Sequence, residues 1–272
     1  MMDSDQTKCP VCGRHDWRTV INTPNFRIDE CIGGCIGRTL PPPKFTDELP
    51  PGACADNIKK LDRNAPGHFT FADEILDWVG KFQPNGRLLD IGPGWGQLLR
   101  SGLDRGYEAV GIEASPSVAE IAREAFDVEV VVGSFPEYNF EIDSFDIVTM
   151  NHVLEHLYKP EEALREAYRI LKPGGILAVM SPNYQSLMRI LMRSKWCGLQ
   201  PSQHVWQLSV RSVRELMMCA SLAPMVVRKI DLDYGLVFRP PVNRFRLRTV
   251  LAFANALNMG DNMLVLARKL VR

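Results

Sequence analysis

Two constellations in this chain carry residue types that do chemistry. Cys9 and Cys12 form a C-x2-C knuckle, and Cys31 and Cys35 form a C-x3-C knuckle, with 18 residues between the two. Paired knuckles at that separation are the spacing of a zinc ribbon, in which four thiolates hold Zn²⁺ tetrahedrally. Gly33 and Gly34 inside the second knuckle can absorb its extra residue. The competing reading is reduced free thiols in a disordered tail. Cys54, Cys197 and Cys219 stand apart and read as packing residues. The second constellation is "NHVLEHL", residues 151 to 157, with His152, Glu155 and His156. H-x-x-E-H is the spacing of inverted zinc peptidases. Histidines four residues apart share a helix face with or without a metal. A peptidase would also need a long helix around the motif and a third ligand, and neither is apparent.

The elements around these residues decide between readings. Residues 1 to 40 are rich in Cys and Gly with little helical periodicity. "LPPPKFTDELPPGAC", 40 to 54, carries five prolines and reads as an extended linker over 41–65. From 66 onward, strand-like and helix-like segments alternate. Strands are predicted at 86–92, 107–113, 128–133, 145–150 and 175–182. Helices are predicted at 67–82, 95–106, 115–126 and 159–175, then at 209–222, with two further strands in "PMVVRKIDL" and "NMLVLARKL". Such alternation implies a doubly wound α/β domain with a parallel sheet. "LLDIGPGWGQLL" is a strand, a glycine turn and a helix start, where Gly92 and Gly94 let backbone approach a ligand. Glu113 ends the next strand, 19 residues past Gly94, where a carboxylate accepts hydrogen bonds from a ribose diol. A dinucleotide site would want a third glycine where Gln97 stands. Asp90 before the loop suits a cationic ligand better than a pyrophosphate. S-adenosylmethionine (SAM), with a sulfonium and an α-ammonium, meets that description.

Residues 66 to 182 resemble the class I SAM-dependent methyltransferase domain. "LLDIGPGWG" is similar to its first motif, "VGIEASPSVAEIA" to the acidic second, "FDIVTMNHVLEHL" to the fourth strand and its loop, and "EALREAYRILKPGGILAVMSPN" to the fifth-strand region. "LKPGG" after "LEHL" is a combination shared with ubiquinone-biosynthesis O-methyltransferases and with many methyltransferases of natural-product and polysaccharide pathways. The resemblance implies a Rossmann-like seven-stranded sheet with one reversed strand at its edge. It carries over a cofactor set of Asp90, Gly92, Gly94, Trp95, Gly96, Gln97, Glu113, Ser134, Phe135 and Asn151. Asn151 and His152 would pass near SAM, and Glu155 and His156 near the transferred methyl. His156 is the candidate base, with His152 and His204 as rivals. Glu155 and His156 could instead form an orienting pair, or help hold a divalent metal. The acidic residues that the ubiquinone enzymes carry around this motif are replaced here by Asn151 and His152, which weakens the metal reading.

Residues 183–208 sit where related enzymes place a lid over the acceptor. Tyr184, Trp196, His204 and Trp206 are candidates to line that pocket, or to form a satellite core. "NRFRLRTVLAFANAL", within the predicted insertion 233–261, reads as a packed helix with a basic end, a membrane-surface helix or a dimer contact. The sequence has 32 basic and 32 acidic residues, a formal net charge of zero. That disfavours a protein whose main task is gripping nucleic acid. It has no apolar leader and no run of 18 apolar residues, which predicts a cytoplasmic protein without a membrane span. The expected activity is methylation, at oxygen, of a small-molecule or sugar acceptor, with a carrier protein as a further partner of the ribbon. The alternatives are an RNA methyltransferase and a catalytically silent scaffold that binds a partner through the ribbon.

Overall fold

The computed structural model describes residues 7–44, 49, 53–60, 69–230, 253–254 and 256–271. The basic stretch around Arg244, Arg246 and Arg248, most of the predicted insertion 233–261 and part of the proline-rich linker lie outside these residues. Among the described residues, no helix is long and apolar enough to cross a membrane.

The N-terminal strands are β1 (Trp17–Asn22), β2 (Arg27–Cys31) and β3 (Gly37–Leu40), followed by the short helix α1 (Ala55–Lys59). The larger unit runs α2 (Thr70–Val79), β4 (Arg87–Ile91), α3 (Gln97–Asp104), β5 (Glu108–Glu113), α4 (Pro116–Phe126), β6 (Glu129–Val132), β7 (Phe145–Asn151), α5 (Pro160–Ile170) and β8 (Leu171–Pro182). Then come α6 (Leu187–Met192), β9 (Trp206–Gln207), α7 (Val210–Cys219), β10 (Leu222–Ile230) and β11 (Asn262–Lys269). Local chemistry sets several ends. Ser115 caps α4 by accepting from the Val118 amide, with Pro116 at the first helical position. Ser209 and Ser212 form a capping box on α7. The helix predicted over 159–175 stops at Ile170, and "LKPGG" begins β8 instead, because Pro173 cannot continue a helix.

The main sheet has the order β10-β11-β8-β7-β4-β5-β6. Strands β8, β7, β4, β5 and β6 pair in parallel, and β11 is antiparallel to both its neighbours. The reversed strand is therefore next to the edge rather than at it, with β10 outermost. A hairpin-like β10–β11 pair inserts β11 against β8 and leaves β10 running with the rest. Side chains alternate between the two faces with period two. On β8, Leu177 and Val179 enter the core shared with α5 and α7, while Ile176, Ala178 and Met180 enter the core under α2, α3 and α4. Burial on both faces explains the nearly continuous apolar runs of these strands.

A second sheet has the order β1-β2-β3-β9, antiparallel throughout. Its last strand comes from the 183–208 stretch, as Gly37 pairs with Gln207 and Arg38 with Trp206. Cys9, Cys31, Cys35 and Ile36 belong to the same apolar core as α5 and α7. The cysteine module is thus packed on the larger unit.

Candidate active site

In the main sheet the chain leaves β4 toward β5 on one side and reaches β7 on the other. The crevice beyond the carboxyl ends of these central strands is where doubly wound sheets bind ligands. Asp90, 1% exposed, is the penultimate residue of β4, and Thr149 lies opposite it on β7. Thr149 Oγ1 donates to Asp90 Oδ1 at 2.6 Å. Burial pushes the Asp90 carboxyl up from 3.8 to about 7, with the Glu113 charge adding to the rise and the Thr149 hydrogen bond opposing it. Gly92 (φ +63°), Gly94 (φ +54°) and Gly96 (φ +90°) carry the turn in the left-handed region. Their roles differ. A Cβ on Gly92 would lie 2.7 Å from Val153 Cγ2, so this glycine lets the loop after β7 close down on the turn. A Cβ on Gly94 would meet nothing within 4 Å, which leaves an open cradle. At Gly96 the neighbours are Val128 and Ala122, a packing constraint. Trp95 and Gln97 are half-buried beside the turn. Glu113 ends β5, and its Oε1 accepts from the Ser115 amide at 3.1 Å. Ser134 is exposed and Phe135 buried just after β6. Asn151 Oδ1 and His152 Nε2 are buried without a partner. The cradle at Gly94, the carboxylates of Asp90 and Glu113 and these two orphaned atoms fit a cationic nucleoside such as SAM.

The loop after β7 brings the histidines together. His152 itself has φ +55°, uncommon for a non-glycine residue, and its amide donates to Met180 O at 2.9 Å. Its ring lies edge-on to Phe71 at 4.9 Å, and Nδ1 is 3.2 Å from Glu155 Oε1. Glu155 is 1% exposed. Burial would raise its pKa, but the His152 hydrogen bond and the charges of His152, His204 and His156 hold it at about 2. Its second oxygen, Oε2, is buried without a partner. His204 arrives from the 183–208 stretch. Its ring is 4.8 Å from that of His156, and burial lowers its pKa to about 4, the Glu155 charge opposing. His156 Nδ1 lies 3.0 Å from Gln203 O, and His204 Nδ1 lies 3.0 Å from Gly198 O. A carbonyl only accepts, so each Nδ1 carries the hydrogen, and in the neutral ring Nε2 holds the lone pair. One ligand atom each from Glu155, His156 and His204 lies within 4.8 Å of the others. The long helix that a peptidase motif needs is not there; residues 152–159 form a loop.

The seam between the cysteine module and this loop explains how His204 is held. Glu155 O accepts from the amides of Val205 and Trp206 at 2.9 and 3.0 Å. Gln207 Nε2 donates to Thr39 Oγ1 at 3.1 Å and to Leu199 O at 3.0 Å. Ser209 Oγ donates to Cys35 O at 3.3 Å. Trp206 donates to Leu157 O at 2.9 Å and stacks on Trp17. Tyr184 and Trp196 pack with Ile21, Ile28 and Leu199 in a small core at the same seam. Trp196 also donates to Asp261 Oδ1 at 3.2 Å. Tyr184 lines a cleft of about 270 Å³ with Glu30, Arg189, Gln185 and Gln207. Thr149, Thr39 and Gln207 have no motif to announce them; only strand register brings them to the site.

The four cysteines converge. One thiol sulfur from each of Cys9, Cys12, Cys31 and Cys35 lies within 4.8 Å of the rest, and Cys12 Sγ is 3.5 Å from Cys31 Sγ. Zn–S bonds of about 2.3 Å in a tetrahedron put sulfurs roughly 3.8 Å apart, so the donor set fits zinc. A Cβ on Gly33 would press on Cys35 Sγ at 3.1 Å, and Gly34 has φ +65°. Both glycines are what the longer second knuckle requires. Burial raises the Cys9 thiol far above its ordinary value and Cys35 to about 12, with neighbouring thiols adding to the rise. A divalent cation would supply the missing counter-charge.

Fold, glycine turn and acidic strand end together define a class I SAM-dependent methyltransferase. Residues 62–222 match the family described as "Methyltransferase domain", and the chain belongs to it. It is similar to a ubiquinone biosynthesis O-methyltransferase of Alkalilimnicola ehrlichii, 32% identical over 172 residues, covering 59% of this chain and 68% of that protein. It is also similar to a ubiquinone/menaquinone biosynthesis C-methyltransferase of a Ruegeria species, 33% identical over 122 residues, covering 42% of this chain and 48% of that one. Among solved structures, a SAM-dependent methyltransferase of Thermotoga maritima, described as a possible histamine N-methyltransferase, superposes with a TM-score of 0.56 at 23% identity, covering 78% of this chain and 91% of that one. The chain spans about half the length of the C-methyltransferase.

Proposed function

We propose that this enzyme methylates an oxygen of a small-molecule or sugar acceptor, with His156 as the general base. The observation that carries this reading is the contact of His156 Nδ1 with Gln203 O at 3.0 Å, which leaves Nε2 for an acceptor, on the loop that follows the central strand β7. Asp90 and Glu113 would hold the cationic and ribose ends of the cofactor, and Gly94 would give it room. When bound, SAM supplies an activated methyl whose C–S bond breaks as the new O–C bond forms, the pair passing to sulfur. Nε2 of His156 takes the acceptor proton, and Glu155 stabilises the imidazolium that results. Positioning provides most of the acceleration, since the methyl carbon is already electrophilic. Tyr184 and His204 would border the acceptor; buried Trp196 would shape it from behind. Zn²⁺ on the four cysteines would be structural, holding residues 1–40 as a module joined through 41–65 to a catalytic domain over 66–272. That module's docked sheet supports a structural role over nucleic-acid reading.

The test is transfer of radiolabelled methyl from SAM to fractionated small-molecule extracts, with product analysis by mass spectrometry. Labelled ether products lost in His156→Ala support the reading. Label on RNA alone, or turnover indifferent to His156→Ala, would overturn it. A second reading, in which Glu155, His156 and His204 hold a divalent ion, is favoured by the unpartnered Glu155 Oε2. Two imidazoles and one carboxylate suit a borderline transition metal more than magnesium. Such an ion would polarise the acceptor oxygen, and a metal content above the cysteine-bound equivalent would reveal it.

A further inference from the structure

The cysteine module supplies one wall of a cleft at its seam with the larger unit. The cleft holds about 270 Å³ and is lined from β2, from the turn around Gly34, from the residues after β8 and from β9. None of Glu155, His156 and His204 lines it. The separation comes from β9, since successive side chains of a strand point to opposite faces. Trp206 reaches Leu157 O on the catalytic loop at 2.9 Å, and the next residue, Gln207, faces the cleft. The cleft therefore neighbours the reacting centre without containing it.

Two acid–base side chains of opposite sign line it, Glu30 of β2 and Arg189 of α6, and they pair at 3.4 Å. Arg18, 75% exposed, adds a looser contact to Glu30 at 3.6 Å. The pair leaves neither sign in excess, so the cleft offers little to an ion. The Arg189 guanidinium lies over the Tyr184 ring at 4.2 Å and donates to the Tyr184 hydroxyl. Burial raises that hydroxyl to about 12, so it stays neutral and keeps its hydrogen. Gln207, 2% exposed, gives both amide hydrogens to Thr39 Oγ1 and Leu199 O, which leaves its carbonyl oxygen as an acceptor. Arg189 Nε is buried without a partner, a donor of the kind that a bound oxygen answers. Ile36 and Ile190 add apolar wall. Fixed donors and acceptors beside an apolar wall suit hydroxyl groups, which can do both, on a ring with C–H faces. The volume falls just under the roughly 300–1,000 Å³ of drug-sized sites, so it admits one ring and no dinucleotide or long apolar tail.

We propose that this cleft is a subsite for one uncharged sugar ring of the acceptor, a ring next to the one that receives the methyl. Glu30 and the Gln207 carbonyl accept from its hydroxyls, Arg189 and Tyr184 donate to them, and Ile190 covers a C–H face. The cysteine module then selects the substrate through Glu30 as well as bracing the lid. The link to methyl transfer rests on the acceptor reading above, but the binding is measured without SAM or turnover.

The experiment is NMR titration of the full, zinc-loaded chain with the methyl glycosides of glucose, galactose and mannose. Methyl glucuronide and methyl glucosaminide serve as the anionic and cationic counterparts. At least one neutral glycoside should shift the Gln207 side-chain amide and the Gly34 amide at millimolar concentration, the affinity of a small ring with few contacts. The charged glycosides should shift neither. Glu30→Gln should weaken the neutral glycoside about tenfold, the loss of charge-assisted hydrogen bonds, and should admit the glucuronide, because Arg189 loses its counter-charge. Ile190→Ser should weaken binding about threefold. Both variants should keep the wild-type SAM affinity, which shows that they fold. No shift in the cleft with any neutral glycoside would overturn the proposal. So would a wild-type cleft that prefers a charged glycoside, or shifts confined to residues 152–157. A labelled sugar product from extracts, with no glycoside reaching the cleft, would sink this inference and leave the acceptor reading standing. Label on RNA alone would sink the acceptor reading and the link to methyl transfer, while glycoside shifts in the cleft would still establish the site.

Discussion

Replacing Asp90 by Asn should make the cofactor-free protein more stable, and more so as pH rises. Asp90 is fully enclosed, and its carboxyl is raised from 3.8 to about 7. A carboxyl raised in the folded state binds its proton more tightly there than in the unfolded chain, so stability is greatest below the unfolded value and falls as pH climbs through about 7. One pKa unit is worth about 1.36 kcal/mol, so the penalty works out at roughly 2 kcal/mol near pH 5 and about 4 kcal/mol near pH 8. Asn keeps an oxygen to accept from Thr149 Oγ1 and has no proton to lose. Urea unfolding of both proteins should therefore give a stability gain for Asp90→Asn that grows by about 2–3 kcal/mol between those two pH values. The same variant should bind SAM more weakly, as the proposed role of this carboxylate toward a cationic ligand requires. A stability difference that stays flat with pH would refute the reasoning, and a variant that binds SAM as well as wild type would detach Asp90 from the cofactor.

Gly92→Ala forces a left-handed residue and presses on Val153; a loss of roughly 2–3 kcal/mol in unfolding experiments is expected, partly restored by Val153→Ala. Glu155→Gln removes a carboxylate held at about 2 against an ordinary 4.5. A lowered carboxylate contributes above its ordinary value and loses that contribution as pH falls toward 2, so the variant should be less stable near neutrality, by about 1.5–3 kcal/mol for one charged hydrogen bond, and less so in acid, as followed by chemical denaturation. Cys12→Ser should take zinc, measured by mass spectrometry of the metal, from about one equivalent per chain to nearly none. Because β3 pairs with β9, it should also speed amide exchange over residues 203–209 while leaving exchange in β4 and β5 unchanged.

Much of this architecture is legible in the sequence because period and punctuation are strong there. The apolar runs ending in Asp90 and Glu113, the Ser115–Pro116 helix start and the glycine turn each specify their local structure without help from distant residues. The position of the reversed strand is not legible in that way, since "PMVVRKIDL" and "NMLVLARKL" look alike and only pairing decides which lies against β8. The same holds for the site. Glu155 and His156 are visible as a motif, but His204 joins them only because the two amides that follow it bond Glu155 O and β9 completes the cysteine module's sheet. Thr149 reaches Asp90 through the β4–β7 register, across 59 residues of sequence. Gly92 looks like a ligand-contact glycine, yet the atom that forbids a side chain there belongs to Val153.

The central claim is that the crevice between Asp90, Gly94 and Glu113 holds SAM. Calorimetric titration of the purified, zinc-loaded protein with SAM and separately with NAD tests it most directly, with Glu113→Ala alongside. The account predicts saturable SAM binding, no heat from NAD, and an affinity at least about tenfold weaker in the variant, the loss of charge-assisted hydrogen bonds to a ribose diol. NAD binding, or SAM binding that Glu113→Ala leaves intact, would contradict it.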